Sequence, residues 1–316
     1  MATGKVAFLF PGQGSQKTGM GSSFSNEFPI AKSLFEQADS ILGYDLKKLC
    51  FEGPEERLRQ TEIAQPALFT TSVIAWSCFA SIYPKQPNAV AGHSVGEYAA
   101  LVAAGVLTFS DGLKLVRTRG ELMRDAALAK PGSMAALLGI EPGLARDACH
   151  EAKSEGAGVV NVANFNGGGQ VVISGETRAV ERASEIAKAK GAKRVIPLPV
   201  SGGFHSPLMA SVGDALYSHI SKTALRLPQI PIVSNVTANY IKHPDDLTGG
   251  LTMQVSASVR WEESMQRLLS DGFDTFIELG SGEVLAGLMR RIDKSARAYS
   301  VYDSPSLRAA CEILAA

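Results

Sequence analysis

Short apolar runs rich in β-branched residues alternate with longer helical patterns along this chain of 316 residues. The run VAFLF at 6–10 is followed by helical patterns at 30–49 and 67–83, and then by AVAGHS, which ends in a tight turn. Parallel strands need long crossovers between them and are covered on both faces. The alternation therefore predicts an α/β fold, a parallel sheet with helices on both faces.

The middle of the chain has a different pattern. Between 132 and 198 the order is strand, helix, strand, strand, helix, strand, which resembles a ferredoxin-like unit. We therefore predict an inserted small domain at 131–198, within a large α/β domain that comprises 1–130 and 199–316. After the insert the first pattern resumes, with strands expected at 230–236, 274–280 and 300–303.

The composition argues against several classes of partner. The chain carries 31 basic and 31 acidic side chains, so we expect neither nucleic acid nor an anionic membrane as a partner. Its four cysteines show no CxxC spacing, which predicts neither a metal site nor a disulfide scaffold. No apolar run approaches the roughly 20 residues of a membrane span, and no export signal precedes the first strand. We expect a soluble, cytoplasmic protein.

The strongest local motif is the GxSxG at 92–96, which is centred on Ser94. With 31 glycines in the chain, these letters arise by chance about 0.1 to 0.3 times per chain, so the context matters more. The motif lies between a predicted strand and a predicted helix, where a nucleophile gains from a sharp turn and from helical N–H groups. The alternative is that Ser94 caps the helix, with Glu97 as its capping-box partner.

A nucleophilic serine needs a base, and the chain has five histidines. Three of them lie in polar helical patterns or in a loop: His150, His219 and His243. We expect His93, which adjoins Ser94, to point to a different side of the elbow. His205 is the better candidate, because it follows a strand and a glycine pair, which predicts a place at the carboxyl edge of a sheet. A packing role for His205 is the alternative.

The segment FPGQGSQ at 10–16 directly follows the first strand. Two glycines flank Gln13 and allow the backbone to approach another group closely. A backbone N–H at this point could complete an oxyanion hole with that of Val95. An ordinary strand-to-helix turn is an equally good interpretation.

Seven segments, spread in order over nearly the whole chain, together resemble the malonyl-CoA:acyl carrier protein transacylases. They are FPGQGSQ, GHSVGEYAAL, Arg119-Gly120, NFNGGGQVVISG, VSGGFHSPLM, QVSASVRW and ELGSGEVLAGLMRRI. The combination is far more specific than any single motif. The resemblance implies an α/β-hydrolase-like large domain and an inserted ferredoxin-like small domain, with the active site between them.

The resemblance also implies a role for individual residues. Ser94 is implied to be the nucleophile, His205 its general base and later acid, and Arg119 the cation that pairs with the free carboxylate of malonate. Gln13 and Val95 match the oxyanion positions.

Four further residues match positions around the active site of the family. The backbone carbonyl of Gln254 is implied to orient His205, which explains why no acidic residue stands where a hydrolase triad would need one. Asn164 and Asn166 match polar residues that face the site from the small domain. Phe204 resembles the malonyl-selective pattern of the superfamily.

The chain departs from the family pattern at two places. Gly167-Gly168-Gly169 stands where related sequences often carry a serine and a proline, which leaves the shape of this loop open. Ser281 stands where a proline often follows ELG, and we expect this change to affect only a turn.

The resemblance implies an acyltransferase that moves malonyl from malonyl-CoA to the phosphopantetheine thiol of acyl carrier protein through an ester on Ser94. No metal or redox cofactor is needed, and the expected partners are malonyl-CoA and acyl carrier protein. An acidic carrier protein needs a basic landing surface. Lys193-Arg194 and Arg290-Arg291 are the candidate clusters, although such charges are usually a solvated face.

Two alternatives come from other classes. A serine hydrolase such as a thioesterase or a lipase would share the GxSxG. Against it stand the lack of an HGGG-type segment, a histidine more than a hundred residues before the end, and the arginine suited to an acidic acyl group. A non-catalytic carrier-binding protein is the other, but it would have no reason to keep Ser94, His205 and Arg119 together.

Overall fold

The structure is a computed structural model that describes residues 4–200 and 202–315. Ser201 of the VSGGFHSPLM segment and the ends of the predicted large domain, 1–3 and 316, lie outside the described residues. The described strands are β1 (Lys5–Phe10), β2 (Ala89–Gly92), β3 (Ser133–Leu138), β4 (Val160–Gly167), β5 (Gln170–Gly175), β6 (Arg194–Pro197), β7 (Ile232–Val233), β8 (Phe273–Leu279) and β9 (Arg297–Val301). The described helices are α1 (Ser22–Glu27), α2 (Pro29–Leu42), α3 (Leu46–Glu52), α4 (Glu55–Arg59), α5 (Thr61–Ile82), α6 (Gly96–Ala103), α7 (Phe109–Ala129), α8 (Pro142–Ser154), α9 (Thr177–Ala189), α10 (Ala210–Ile220), α11 (Pro244–Gln254), α12 (Trp261–Ser270), α13 (Val284–Ile292) and α14 (Ser304–Ala315).

Five strands form a parallel sheet in the order β7-β2-β1-β8-β9. Successive residues of β1 point to opposite faces of this sheet. Phe8 packs into a core shared with α2, α5 and α7, whereas Ala7 and Leu9 pack with residues of α12 and α13. Helices therefore cover both faces, which confirms the predicted α/β fold.

A second, antiparallel sheet has the order β4-β5-β3-β6. Helices α8 and α9 pack on it and close a separate core, in which Ile173 and Ala183 are fully buried. The βαββαβ order and this sheet order confirm the ferredoxin-like unit. We propose 131–198 as the small domain, and 1–130 with 199–316 as the large domain.

The hairpin between β4 and β5 packs against helix α13 of the rest of the protein. Its three glycines, Gly167, Gly168 and Gly169, have φ angles of 86°, 59° and 75°, a region that other residues rarely adopt. A Cβ on Gly167 would lie 2.4 Å from the side chain of Ile292, and one on Gly168 would lie 2.5 Å from that of Arg291. The glycine run is thus needed both for the turn and for its close packing on α13.

Several elements differ from the predicted ones. The helix expected at 30–49 is two helices, because Gly43 adopts a left-handed φ of 76° and ends α2. Asp45 then caps α3 by accepting a hydrogen bond from the N–H of Lys48. The strand expected at 230–236 is reduced to the two residues of β7, and β9 begins earlier than the expected strand at 300–303.

The prediction that no apolar run is long enough to span a membrane is wrong for α5. This helix has 22 residues, and its most apolar window has a mean hydropathy of 1.3. However, 83% of that window is buried within the protein, against α7, α6 and α2. A core helix passes the same test of length and composition, and the packing of α5 is that of a core helix.

Candidate active site

Ser94 lies in the sharp turn between β2 and α6, with a left-handed φ of 53°. Side chains rarely adopt this conformation, so it persists only where the surroundings enforce it. A Cβ on Gly92 would lie 2.1 Å from the backbone of Gly96, and one on Gly96 would lie 2.1 Å from the carbonyl oxygen of Phe10. The small residues of the GxSxG are therefore required by the close approach of β1, β2 and α6.

Ser94 and His205 form a hydrogen-bonded pair, with 2.8 Å between Ser94 Oγ and His205 Nε2. His205 Nδ1 lies 2.7 Å from the carbonyl oxygen of Gln254 and 3.2 Å from that of Ala257. Because a carbonyl oxygen only accepts, Nδ1 must carry the ring proton, and Nε2 is left to accept the proton of Ser94. This is the tautomer that a general base requires.

The electrostatic environment keeps His205 neutral. Burial lowers the pKa of its imidazole to about 3, and the guanidinium of Arg119 acts in the same direction. At neutral pH the ring is therefore free to accept a proton.

The backbone before His205 differs from the prediction that this residue directly follows a strand. β6 ends at Pro197, so His205 does not directly follow a sheet edge. It lies in a turn ahead of α10 with a φ of 56°, and its N–H donates to the carbonyl oxygen of Val255, at 3.0 Å. The backbone that follows α11 thus holds both the main chain and the ring of this histidine.

Arg119 lies on α7 with its side chain buried beside Ser94, and the whole residue is 1% exposed. Its Nη2 donates to Ser94 Oγ and to Gln254 Oε1, each at 3.1 Å, and its Nη1 donates to Gln65 Oε1, at 2.6 Å. Within 4–200 and 202–315, Arg119 Nε has no partner and the guanidinium has no ion pair with a carboxylate. A buried cation with only neutral partners is suited to an anionic ligand.

Two neighbouring arginines on the same helix are surface charges. Arg117 pairs with Glu121, and Arg124 pairs with Asp125, with arginine side chains 43% and 40% exposed. Of these three arginines of α7, only Arg119 points into the site.

Glu97 does not form the capping box that was the alternative for Ser94. No side chain caps α6. Glu97 is 3% exposed, and its carboxylate accepts from the N–H of Asn235, at 3.2 Å, and from the side-chain amide of Gln254. Burial raises the pKa of Glu97 to about 7.

Asn235 is a residue of the site that the sequence interpretation missed. Its Oδ1 accepts from the N–H of Ser94, at 2.7 Å, and its Nδ2 donates to the carbonyl oxygen of Gly92, at 2.6 Å. It lies two residues after the end of β7, the strand beside β2. An asparagine just after a strand of a parallel sheet is the signal that could have identified it.

The residues predicted for an oxyanion hole come together at the elbow. Gln13 and Val95 both line the cavity around Ser94. The loop of Gln13 approaches the elbow so closely that a Cβ on Gly12 would lie 2.5 Å from the carbonyl oxygen of His93. The side chain of Gln13 donates to Thr61 Oγ1, at 3.2 Å.

Ser281 affects more than the turn in which it lies. It is 2% exposed, and its hydroxyl donates to the carbonyl oxygen of Ser15, at 2.7 Å. It thereby fixes the loop after β1 that carries Gln13.

The small sheet faces the site through β4. Asn164 lines the cavity, and Asn166 Oδ1 lies 2.9 Å from His93 Nε2. His93 therefore contacts the small sheet and not the hydroxyl of Ser94. Phe204, which precedes the catalytic candidate His205, also lines the cavity and is 4% exposed.

Most of these side chains surround one cavity of about 380 Å³ between the two sheets. Its polar lining includes Ser94, His205 and Arg119, and Met123 and Met134 contribute to its apolar lining. In the part of the chain that the structure describes, no group of three or more His, Cys, Asp or Glu side chains could hold a metal ion. In this arrangement Ser94 can be acylated by a substrate whose anionic group binds beside it, at Arg119.

Comparison with known proteins identifies the family. The acyl transferase domain family matches residues 7–304. The chain is 43% identical, over 98% of its length and 97% of the relative, to the malonyl CoA-acyl carrier protein transacylase of Bacillus subtilis (strain 168). This chain belongs to the malonyl CoA-acyl carrier protein transacylase family. Membership confirms the resemblance drawn from the seven segments.

Solved structures of transacylases agree with this assignment. An acyl carrier protein S-malonyltransferase from Vibrio cholerae matches with a TM-score of 0.93 and 42% identity, over 97% of this chain and 99% of that one. A malonyl-transacylase in complex with a type II polyketide acyl-carrier protein matches with a TM-score of 0.94 and 39% identity, over 98% and 99%. The acyl transferase family acts in general without a cofactor.

Proposed function

We propose that this protein is a malonyl-CoA:acyl carrier protein S-malonyltransferase, located in the cytoplasm, that works through a malonyl ester on Ser94. The observation that carries the substrate assignment is the position of Arg119, 3.1 Å from Ser94 Oγ and without a carboxylate partner among the described residues. A malonyl group carries its carboxylate one methylene away from the reacting carbonyl. A cation that binds this carboxylate must therefore lie beside the nucleophile.

In the first half-reaction Ser94 Oγ attacks the thioester carbonyl carbon of malonyl-CoA, and its proton passes to His205 Nε2. The N–H groups of Gln13 and Val95 stabilise the oxyanion. The carbon–sulfur bond then breaks, and the proton moves from His205 to the sulfur, so that CoA leaves as a thiol.

The second half-reaction runs the same steps in reverse with a different thiol. The phosphopantetheine thiol of acyl carrier protein gives its proton to His205, and its sulfur attacks the ester carbonyl carbon. The carbon–oxygen bond to Ser94 breaks, and the proton returns to Oγ. No step requires a metal or a redox cofactor.

The remaining candidate residues support these steps by position. The carbonyl oxygen of Gln254 orients His205 in place of a triad carboxylate, since it accepts from Nδ1 at 2.7 Å. We assign Asn164 and Phe204, which line the cavity, to the wall that shapes the acyl pocket, and Asn166, which does not line it, to the support of that wall through His93. A buried site of this kind favours a bound thiol over water at about 55 M, because it fixes the acyl group in one geometry.

The test is a transfer assay with malonyl-CoA and phosphopantetheinylated carrier protein. Released CoA and malonylated carrier protein are measured together, and acetyl-CoA serves as the comparison substrate. We expect the two products to appear in equal amounts and malonyl to be strongly preferred. Release of CoA without acylated carrier would identify a thioesterase, and absence of both products would support a non-catalytic carrier-binding protein.

A further inference from the structure

Glu97 is a buried carboxylate to which the proposed mechanism gives no role. Its two oxygens accept hydrogen bonds from two different directions, one from the N–H of Asn235 and one from the side chain of Gln254. Among the described residues it forms no ion pair with Arg119, although the two lie close enough for each charge to shift the pKa of the other. A carboxylate is expensive to bury unless hydrogen bonds or an opposite charge compensate for the lost water.

Gln254 lies between this carboxylate and the arginine. Its Nε2 donates to Glu97 and to the carbonyl oxygen of Ser94, at 3.0 Å, while its Oε1 accepts from Arg119 Nη2, at 3.1 Å. A carboxylate can only accept and a guanidinium can only donate, so only one orientation of the amide satisfies both neighbours. Rotation of the amide by half a turn would place oxygen against oxygen and N–H against N–H.

The same residue contacts the whole catalytic group. Its side chain reaches the backbone of Ser94 and the fork of Arg119, and its main-chain carbonyl accepts from His205 Nδ1. The side-chain amide is therefore coupled directly to the elbow of Ser94 and to the guanidinium of Arg119, while the main chain of the same residue holds His205. Glu97, which accepts from Gln254 Nε2, is one of the groups that fix the orientation of this amide.

The intervening amide also keeps Glu97 from neutralising the arginine. A direct ion pair would occupy the guanidinium and would compete with an anionic substrate. With Gln254 between them, the carboxylate stabilises the buried positive charge at longer range, while Arg119 Nε is left without a partner among the residues described.

We propose that Glu97 is a positioning residue, which acts through Gln254 to hold the guanidinium of Arg119 toward the acyl pocket. It thereby determines the preference for acyl groups that carry a carboxylate. This inference rests on the proposed function. Glu97 touches no reacting atom, and its effect must pass through Gln254 and Arg119.

Glu97→Gln is the direct test, because it keeps the size of the side chain. The new amide offers one oxygen, whereas both Asn235 and Gln254 present N–H groups, so one of the two contacts must be lost. Loss of the hydrogen bond to Gln254 should lower the ratio of malonyl to acetyl transfer by about tenfold, chiefly through the malonyl rate.

Glu278→Gln is the matched control. Glu278 is also buried, at 0% exposed, and accepts from the N–H of Ala286, at 2.9 Å, but it lies on β8 without a described contact to Arg119. It should lower the melting temperature without changing the ratio. In an Arg119→Ala background, Glu97→Gln should cause no further change in the ratio.

The possible results distinguish a failure of the positioning role of Glu97 from a failure of the proposed function. A wild-type protein that transfers malonyl, together with a Glu97→Gln variant that keeps the wild-type ratio, overturns the positioning role alone. Equal loss of malonyl and acetyl transfer does the same, because it indicates a structural role. A wild-type protein that transfers no malonyl overturns the proposed function itself. If Glu97→Gln does not fold, Gln254→Met replaces it, and a malonyl-to-acetyl ratio that stays unchanged in that variant contradicts the proposal.

Discussion

The two sides of the cavity are built in different ways. On the side of the parallel sheet, Ser94 and Arg119 are each held by several hydrogen bonds. These bonds restrict each side chain to one conformation. On the side of the small sheet, Asn166 has one described side-chain contact, with His93, and the side chain of Asn164 has none within the described residues. One side thus holds the candidate reacting groups in place, whereas the other contributes Asn164 and Met134 to a wall that a ligand can contact.

The largest kinetic effect should come from the base on the fixed side. His205→Ala should slow acylation by malonyl-CoA by a factor of about 100 to 10,000, the usual contribution of a positioned general base. Rapid-quench measurement of the acyl-enzyme gives the rate directly. An unchanged rate would mean that another histidine, such as His93 or His243, is the general base. The parallel-sheet side of the cavity would then no longer be distinguished by holding His205.

Arg119→Ala should have the next largest effect, and only on malonyl. Loss of one partner from a buried charge pair costs about 2 to 5 kcal/mol, or roughly 30-fold to several thousand-fold. Acetyl transfer should be kept or increased, because acetyl has no carboxylate for the arginine. Arg119→Lys should recover only part of the malonyl activity, since its single ammonium cannot form a fork.

The two substrates provide the control for this variant. Both are assayed as kcat/KM with the same carrier protein. Equal losses for malonyl and acetyl would mean that the arginine is structural, and the substrate assignment would lose its main physical support.

A polar residue of the small sheet should matter much less. Asn166→Ala removes one neutral hydrogen bond, to His93, which is worth about 1 kcal/mol, so we expect kcat/KM for malonyl to fall by about tenfold or less. A loss as large as that of His205→Ala would erase the contrast between the two sides. The measurement is the same transfer assay, with a melting curve to verify the fold.

Charge reversal outside the cavity should have the smallest effect. Lys193 and Arg194 are exposed at the start of β6, as are Arg290 and Arg291 at the end of α13. Replacing either pair with glutamate should reduce transfer to an acidic carrier protein several-fold at low salt, and should reduce its salt dependence, because rim charges act mainly on the association rate. Transfer to free pantetheine should be unchanged; equal losses with both acceptors would indicate misfolding.

The same contrast explains how far the sequence alone could predict the site. Ser94 was identifiable because its chemistry requires small neighbours at fixed local spacing, and strand-turn-helix periodicity gives the context. Glu97 was open to a capping interpretation, because the local spacing S-x-x-E is the same whether the carboxylate is exposed or buried. The contacts of Gln65 and Asn235 depend on segments far apart in the chain, and local patterns carry no information about such contacts.

The fold shows the same limit. The periodicity identified both sheets, but α11, which ends at Gln254, was missed. Its segment contains Gly249-Gly250, which disfavours a helix in isolation, and tertiary packing against α10 overrides that preference. The break at Gly43 was missed for the opposite reason, because apolar spacing continues across a residue whose left-handed conformation ends α2.

Intact-mass spectrometry after mixing with malonyl-CoA, in the absence of carrier protein, detects the ester on Ser94 itself. We expect one malonyl adduct on the wild-type protein, mapped by peptide analysis to Ser94 and discharged when carrier protein is added. Ser94→Ala should fold with little loss of stability, since a hydroxyl at a partly exposed elbow contributes little packing, and should carry no adduct. An adduct of equal size on the folded Ser94→Ala protein, or wild-type transfer that never passes through an adduct, would rule out Ser94 as the acylated nucleophile.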